Sequence, residues 1–161
     1  MRNILYMLVG ALGLYGMQQA ALQDSKPAEA APPIQLGNFS VSLTVKDLEA
    51  SRVFYEKLGF KLKSGEPKQK WIVLQNATAT IGLFQGLFDR NMLTFNPGWD
   101  RDKTTLKQFD DVRALQKTLK DQGLKFTAEA DPASAGPAFF MLNDPDGNPI
   151  LVDQHVPKPG K

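Results

Sequence analysis

SVSLTVKDLEASRVFYEKLGFKL, residues 40–62, changes its apolar rhythm once, and that change decides the fold. At its start Val41, Leu43 and Val45 alternate with Ser40, Ser42 and Thr44, which gives a strand with one apolar and one small polar face. A helix follows at once. Asp47 is placed to cap it, Glu49 suits the positive end of the helix dipole, and Leu48, Phe54, Tyr55 and Leu58 form an apolar stripe. Gly59 can take the left-handed conformation that stops a helix. Beyond it FKLKSGE, KWIVLQ and TATIGLFQ read as three short strands separated by turn residues.

The second half repeats this pattern about 64 residues later. Asp111 to Gly123 mirrors Asp47 to Gly59, with Val112, Leu115 and Leu119 supplying the stripe. AFFMLN at 138–143 corresponds to WIVLQN at 71–76, and PILVDQ at 149–154 to TIGLFQ at 80–85. Each half therefore reads strand, helix, strand, strand, strand. A sheet covered by only one helix has a second face to protect, which is a physical reason to pair the halves. The expected fold is α+β, with two βαβββ modules, residues 38–88 and 89–156, whose paired curved sheets surround a cleft. Residues pointing away from the helices line that cleft.

Composition narrows the function classes. A chain of 161 residues with 42% apolar content suits one globular domain with a real core. Lys and Arg number 19 against 17 for Asp and Glu, and no basic run lies on a helix or strand pattern, so nucleic acid is not an expected partner. With no cysteine and one histidine, disulfides, thiolate nucleophiles and thiolate-bound zinc are excluded. MRNILYMLVGALGLYGMQQA carries Arg2 and then an uncharged run from Ile4 to Met17. That run is shorter than the roughly 20 residues of a membrane-crossing helix and fits a signal-peptide core. Residues 1–21 read as a signal peptide or an uncleaved N-terminal anchor, residues 22–37 as an Ala- and Pro-rich linker, and residues 157–161 as a tail. The expected location is periplasmic or secreted, or membrane-anchored where the segment is retained.

The stretches SVSLTVKDLEASRVFYEKLGFKL and FFMLNDPDGNPILVDQH resemble the vicinal oxygen chelate superfamily, the glyoxalase, bleomycin-resistance and extradiol dioxygenase group, across roughly residues 38–156. DL at 47–48, FY at 54–55, LGF at 58–60 and DPDGN at 144–148 carry the resemblance, together with the repeat. It specifies a fold more than a reaction, because members include lyases, isomerases, ring-cleaving dioxygenases and catalytically silent binding proteins.

The resemblance implies a divalent metal held by side chains from the first and fourth strands of each module. The usual first-strand histidine, seven residues before the Asp of the DL pair, falls on Ser40. The usual fourth-strand carboxylate falls on Gly82. In the second module two registers are open for the histidine: Asn91 if NMLTF is the strand, Thr104 if the seven-residue count holds. The last carboxylate, after DPDGN-x-I, falls on Leu151. None of these residues is a usual ligand for a divalent ion, so no metal and no cofactor are expected.

After the turn at Asp144-Pro145-Asp146-Gly147, alternation puts Leu151, Asp153 and His155 on one strand face, which the resemblance turns toward the cleft. Asp153 and His155 lie about 7 Å apart at their Cα atoms, near enough for the carboxylate to orient and charge the imidazole for proton transfer. His155 reads more simply as a strand-end residue without chemistry, and Asp153 equally as the partner of a basic residue at the rim. Ser40, Ser42, Thr80 and Thr94 offer hydroxyls, Asn91 an amide and Leu151 an apolar contact, while Trp71, Phe84, Phe95 and Trp99 offer flat apolar surface to a ligand. DRDK at 100–103 reads as a solvated loop of mixed sign.

The leading expectation is an exported protein that binds a small organic molecule in its cleft without a metal. Two alternatives stand beside it. One is a glyoxalase-like lyase, isomerase or dioxygenase with a remodelled metal site or metal-free chemistry by Asp153 and His155. The other is a membrane-tethered dimeric interaction domain, with the cleft as a dimer contact. A homodimer is expected, because the resemblance is to a family whose members often pair or exchange modules.

Overall fold

The computed structural model describes residues 33–160, so the apolar run at the N-terminus and residues 22–32 of the linker lie outside the described residues. Helix α1 (Leu48–Lys57) follows strand β1 (Asn38–Val45), and helix α2 (Val112–Asp121) follows strand β5 (Met92–Asn96). Both helices open as the sequence expects. The Asp47 carboxylate accepts from Ala50 N at 2.9 Å, and that of Asp111 from Arg113 N at 3.0 Å, each satisfying one of the free amides of a first turn. Gly59 at φ +85° and Gly123 at φ +87° then turn the chain out of each helix.

Strands β2 (Lys61–Glu66), β3 (Trp71–Gln75) and β4 (Thr80–Gln85) complete the first module, and β6 (Phe126–Ala128), β7 (Ala138–Asn143) and β8 (Pro149–Gln154) the second. The two modules join edge to edge into one mixed, curved sheet of eight strands, in the order β2-β3-β4-β1-β5-β8-β7-β6. Within each module the first and fourth strands are parallel, and β1 meets β5 antiparallel at the join. Both helices pack on the same face. Leu48 of α1 closes a cluster with Ile72, Leu74, Ile81 and Leu83, while Val112, Leu115 and Leu119 of α2 meet Ala130, Phe140, Leu142 and Val152. Each large aliphatic side chain so buried contributes about 1.5–3 kcal/mol of transfer free energy.

The stripe on α1 differs from its sequence reading. Leu48 and Tyr55 face the sheet, but Phe54 and Leu58 are each 58% exposed. At about 100° per residue Leu48 and Tyr55 share a line along the helix, whereas Phe54 and Leu58 fall roughly 80–120° away from it. Phe54 borders a hollow of about 430 Å³ on the outer side, together with Leu43, Val45, Ala50, Ser51 and Asn91 among others.

A buried polar network holds the second module together. Arg113 pairs with Asp111 at 3.1 Å and donates to Ser134 Oγ and to the Gly136 carbonyl, while Gln154 Nε2 donates to Asp111 at 3.1 Å. Gln154 Oε1 also accepts from Val112 N at 2.8 Å, so the cap of α2, strand β8 and the loop before β7 share one set of bonds. Among the described residues no helix is long and apolar enough to cross a membrane.

Candidate functional site

Alternation along each strand sorts the sheet into two faces. With Val41, Leu43 and Val45 toward the helices, the inward face carries Ser64, Val73, Gly82, Ser42 and Met92 in one cross-strand row. The next row holds Ser40, Thr94, Leu151 and Met141. Ser42 and Thr94 meet at the middle of this face, 6% and 7% exposed, with their hydroxyls 2.8 Å apart. One hydroxyl donates to the other, so of the two O–H groups one is spent here and one is left.

The register decides between the positions that the sequence left open in the second module. Val41 pairs with both Leu93 and Ile81, and Leu93 with both Val41 and Ile150, so a pseudo-twofold axis passes through the Val41–Leu93 pair. It relates Ser40 to Met92 and Gly82 to Leu151. The position is therefore Met92, and neither Asn91 nor Thr104 occupies it. Asn91 precedes β5, accepts from Thr44 N at 3.0 Å and borders the outer hollow, while Thr104 lies in the loop after β5. A second correction concerns Phe95. It packs beside the α2 cluster on the helix face and meets Phe39 at 5.2 Å between ring centroids. A one-residue slip in register moves a side chain through the sheet, and both corrections have that origin.

Three side chains and one glycine thus stand at the positions that the resemblance gives to a divalent ion: the hydroxyl of Ser40, the bare backbone of Gly82, the thioether of Met92 and the isobutyl group of Leu151. This set does not fit an ion that takes imidazole and carboxylate donors. The space beside Gly82 is also taken. A Cβ at this position would meet Phe84 Cε2 at 2.5 Å and Cζ at 3.1 Å. Among the described residues no three His, Asp or Glu side chains gather around a common point.

What the inward face holds instead is aromatic. Trp71 stacks on Phe84 with centroids 6.5 Å apart and planes 15° apart, and Phe88 leans on Phe84 at 5.0 Å. Trp71 is half-buried on this face, and its ring takes no part in the helix-side core. On the second module His155 Nε2 lies 3.1 Å from Asp153 Oδ2, so the two residues named from the sequence do meet. Trp99 stacks on the His155 ring at 4.3 Å, with planes 10° apart. The Asp153 carbonyl accepts from Asn96 Nδ2 at 3.0 Å, which ties this corner to β5.

Residues 97–110, the loop that carries Trp99, are not a free solvated loop. Trp99 bridges to Thr105, and Asp100 Oδ1 accepts from the amides of Asp102 and Thr104, which closes a tight tip. That tip crosses to the first module. Arg101 donates to the carbonyls of Asn76 and Ala77, and its own carbonyl accepts from Gln75 Nε2 at 2.7 Å. Arg101 Nε is buried without a partner. Lys63 pairs with Asp102 at 2.7 Å, and this ammonium holds the Asp102 carboxyl below the usual carboxylate range. Lys103, at φ +65°, donates to Ser64 Oγ at 2.6 Å and lies 5.7 Å from the centre of the Trp99 ring. Burial, followed by the nearby charge of Lys63, holds the Lys103 ammonium below the usual lysine range. The segment is a strap from β8 to β2. Sequence reasoning missed it because alternating charges without periodicity read as solvent-facing; the signal available was Trp99 beside four charged residues.

At the opposite end of β8, Asp144 accepts from the Asn148 side chain, its amide and the Asp146 amide, and is held below the usual carboxylate range by these bonds, that of the Asn148 side chain first. This turn is structural.

The sequence matches the model of the Glyoxalase/Bleomycin resistance protein/Dioxygenase superfamily over residues 38–152. Among solved structures, a glyoxalase/bleomycin resistance protein/dioxygenase superfamily member from Vibrio splendidus is 18% identical, with a TM-score of 0.52, covering 73% of this chain and 97% of its own. A Legionella pneumophila structure described as an NAD-dependent benzaldehyde dehydrogenase is 16% identical, with a TM-score of 0.55 and coverage of 73% and 99%. An extradiol ring-cleaving dioxygenase from B. fuscum is 18% identical, with a TM-score of 0.50, and matches 81% of this chain over 36% of its own length. At these identities the likeness is one of fold. No curated protein is significantly similar in sequence.

Proposed function

We propose that this chain, which belongs to the glyoxalase/bleomycin resistance protein/dioxygenase superfamily, binds a small organic molecule on its inward face without a divalent ion. One observation carries the reading. The four customary ligand positions hold Ser40, Gly82, Met92 and Leu151, and the Phe84 ring fills the volume that a side chain at Gly82 would need. A flat apolar ligand suits what remains: Trp71, Phe84 and Phe88 on one module and Trp99 over His155 on the other.

A second reading rests on the contact of His155 with Asp153. In it the pair moves a proton on the bound molecule, with Asp153 orienting the imidazole. Either way, the domain works outside the cytoplasm and is carried there by residues 1–21. The support for that step is the uncharged run from Ile4 to Met17.

Isotope-edited NMR tests the binding reading. With 2-naphthylmethanol as probe, the indole N–H signals of Trp71 and Trp99 shift and saturate together. Shifts confined to the side-chain amide of Asn91, which borders the outer hollow, would refute it.

A further inference from the structure

We propose that the strap makes the inward face selective for anions, with the ammonium of Lys103 taking a carboxylate on an otherwise flat, apolar ligand. This rests on the inward face being the ligand site and adds the chemical class of what it takes. Four observations on the strap and its surroundings support it.

First, the ammonium is on the right face. Ser64, its hydrogen-bond acceptor at 2.6 Å, stands in the inward row beside Val73 and Gly82. Trp71 is the next inward residue along β3, one step of about 7 Å, so aromatic wall and cation are neighbours. Second, the charge is unmatched. Among the described residues no carboxylate lies within ion-pair distance of Lys103, whereas the adjacent Lys63 has Asp102 at 2.7 Å. Third, donors remain. An ammonium has three N–H groups and one is spent on Ser64, which leaves two, together with the Ser64 hydroxyl hydrogen, for the two oxygens of a carboxylate. Fourth, the backbone is strained to hold this arrangement. Lys103 at φ +65° adopts a left-handed conformation that side-chain-bearing residues seldom take.

The half-buried position of Lys103 and its depressed proton affinity fit a cation awaiting a counter-charge. A fixed, partly desolvated ammonium attracts an anion more strongly than a solvated surface lysine does.

Calorimetric titration with 2-naphthoate and with 2-naphthylmethanol, which share a ring system and differ in charge, tests this on the whole chain. The native protein binds the carboxylate about tenfold or more tightly than the alcohol, the Lys103→Met variant binds both alike, and Lys103→Arg keeps most of the preference. Equal affinity for both probes in the native protein, or a preference that survives in Lys103→Met, would overturn the role of Lys103 and leave the ligand site standing. Binding of neither probe would overturn both.

Discussion

Replacing Gly82 with alanine inverts the ordinary expectation for such a change. Gly82 lies within β4 without a positive φ, so alanine is conformationally permitted. On general grounds it stabilises by about 0.4–1 kcal/mol through the unfolded chain. Here the new Cβ meets Phe84 Cε2 at 2.5 Å, against an ordinary carbon–carbon contact of about 3.5–4.0 Å, so the ring must move by roughly 1 Å. Phe84 is not free to move. It is stacked against Trp71 and leans on Phe88, and such pairs contribute about 0.5–1.5 kcal/mol each. With overpacking at about 1–3 kcal/mol, the net expectation is a loss of about 1–2 kcal/mol. For a domain of this size that is a fall in Tm of several degrees. The same substitution in a Phe84→Ala background meets no ring, and there it is neutral or stabilising. A double-mutant cycle read by urea and thermal unfolding measures the difference. Stabilisation by Gly82→Ala in the native background, or the same effect in both backgrounds, would refute the claim that Phe84 occupies the place of the missing side chain.

Other outcomes follow from the same contacts. Arg113→Met leaves Asp111 buried without its cation and is expected to cost about 3–5 kcal/mol in equilibrium unfolding. Arg101→Met removes the donors that fix the strap to the carbonyls of Asn76 and Ala77, so hydrogen exchange at 98–105 accelerates while protection of β7 and β8 is retained. Asp144 has a folded pKa depressed below its unfolded value, so its contribution to stability is present above about pH 4 and is lost as pH falls through the folded value. The Asp144→Asn variant accordingly shows a shallower fall of Tm with pH across that window than the native protein does.

The module repeat was legible because it is written in local chemistry: an alternating strand, a capping Asp and a terminating Gly recur at 47–59 and 111–123. Asp153 and His155 were legible too, since residues two apart on one strand share a face whatever the strand pairs with. Asn91 and Phe95 were placed on the wrong face because NMLTF is apolar or small on both sides, and only pairing with β1 and β8 fixes which residues turn inward. The count that pointed to Thr104 failed because the loop at 97–110 is longer than its counterpart in the first module. Phe54 and Leu58 illustrate the limit of counting apolar residues on a short helix: they are apolar but lie off the line that meets the sheet. The strap was illegible because its anchors are backbone carbonyls at 76–77 and a serine on β2, partners that no local pattern announces.

The central claim is that the inward face works without a metal ion. Elemental analysis of the chain, equilibrated with zinc, nickel and manganese and then desalted without chelator, tests it most directly. The account predicts only traces of each metal and undiminished binding of 2-naphthoate. One ion retained per chain, displaced by Ser40→Ala or Met92→Ala and needed for the probe to bind, would contradict it.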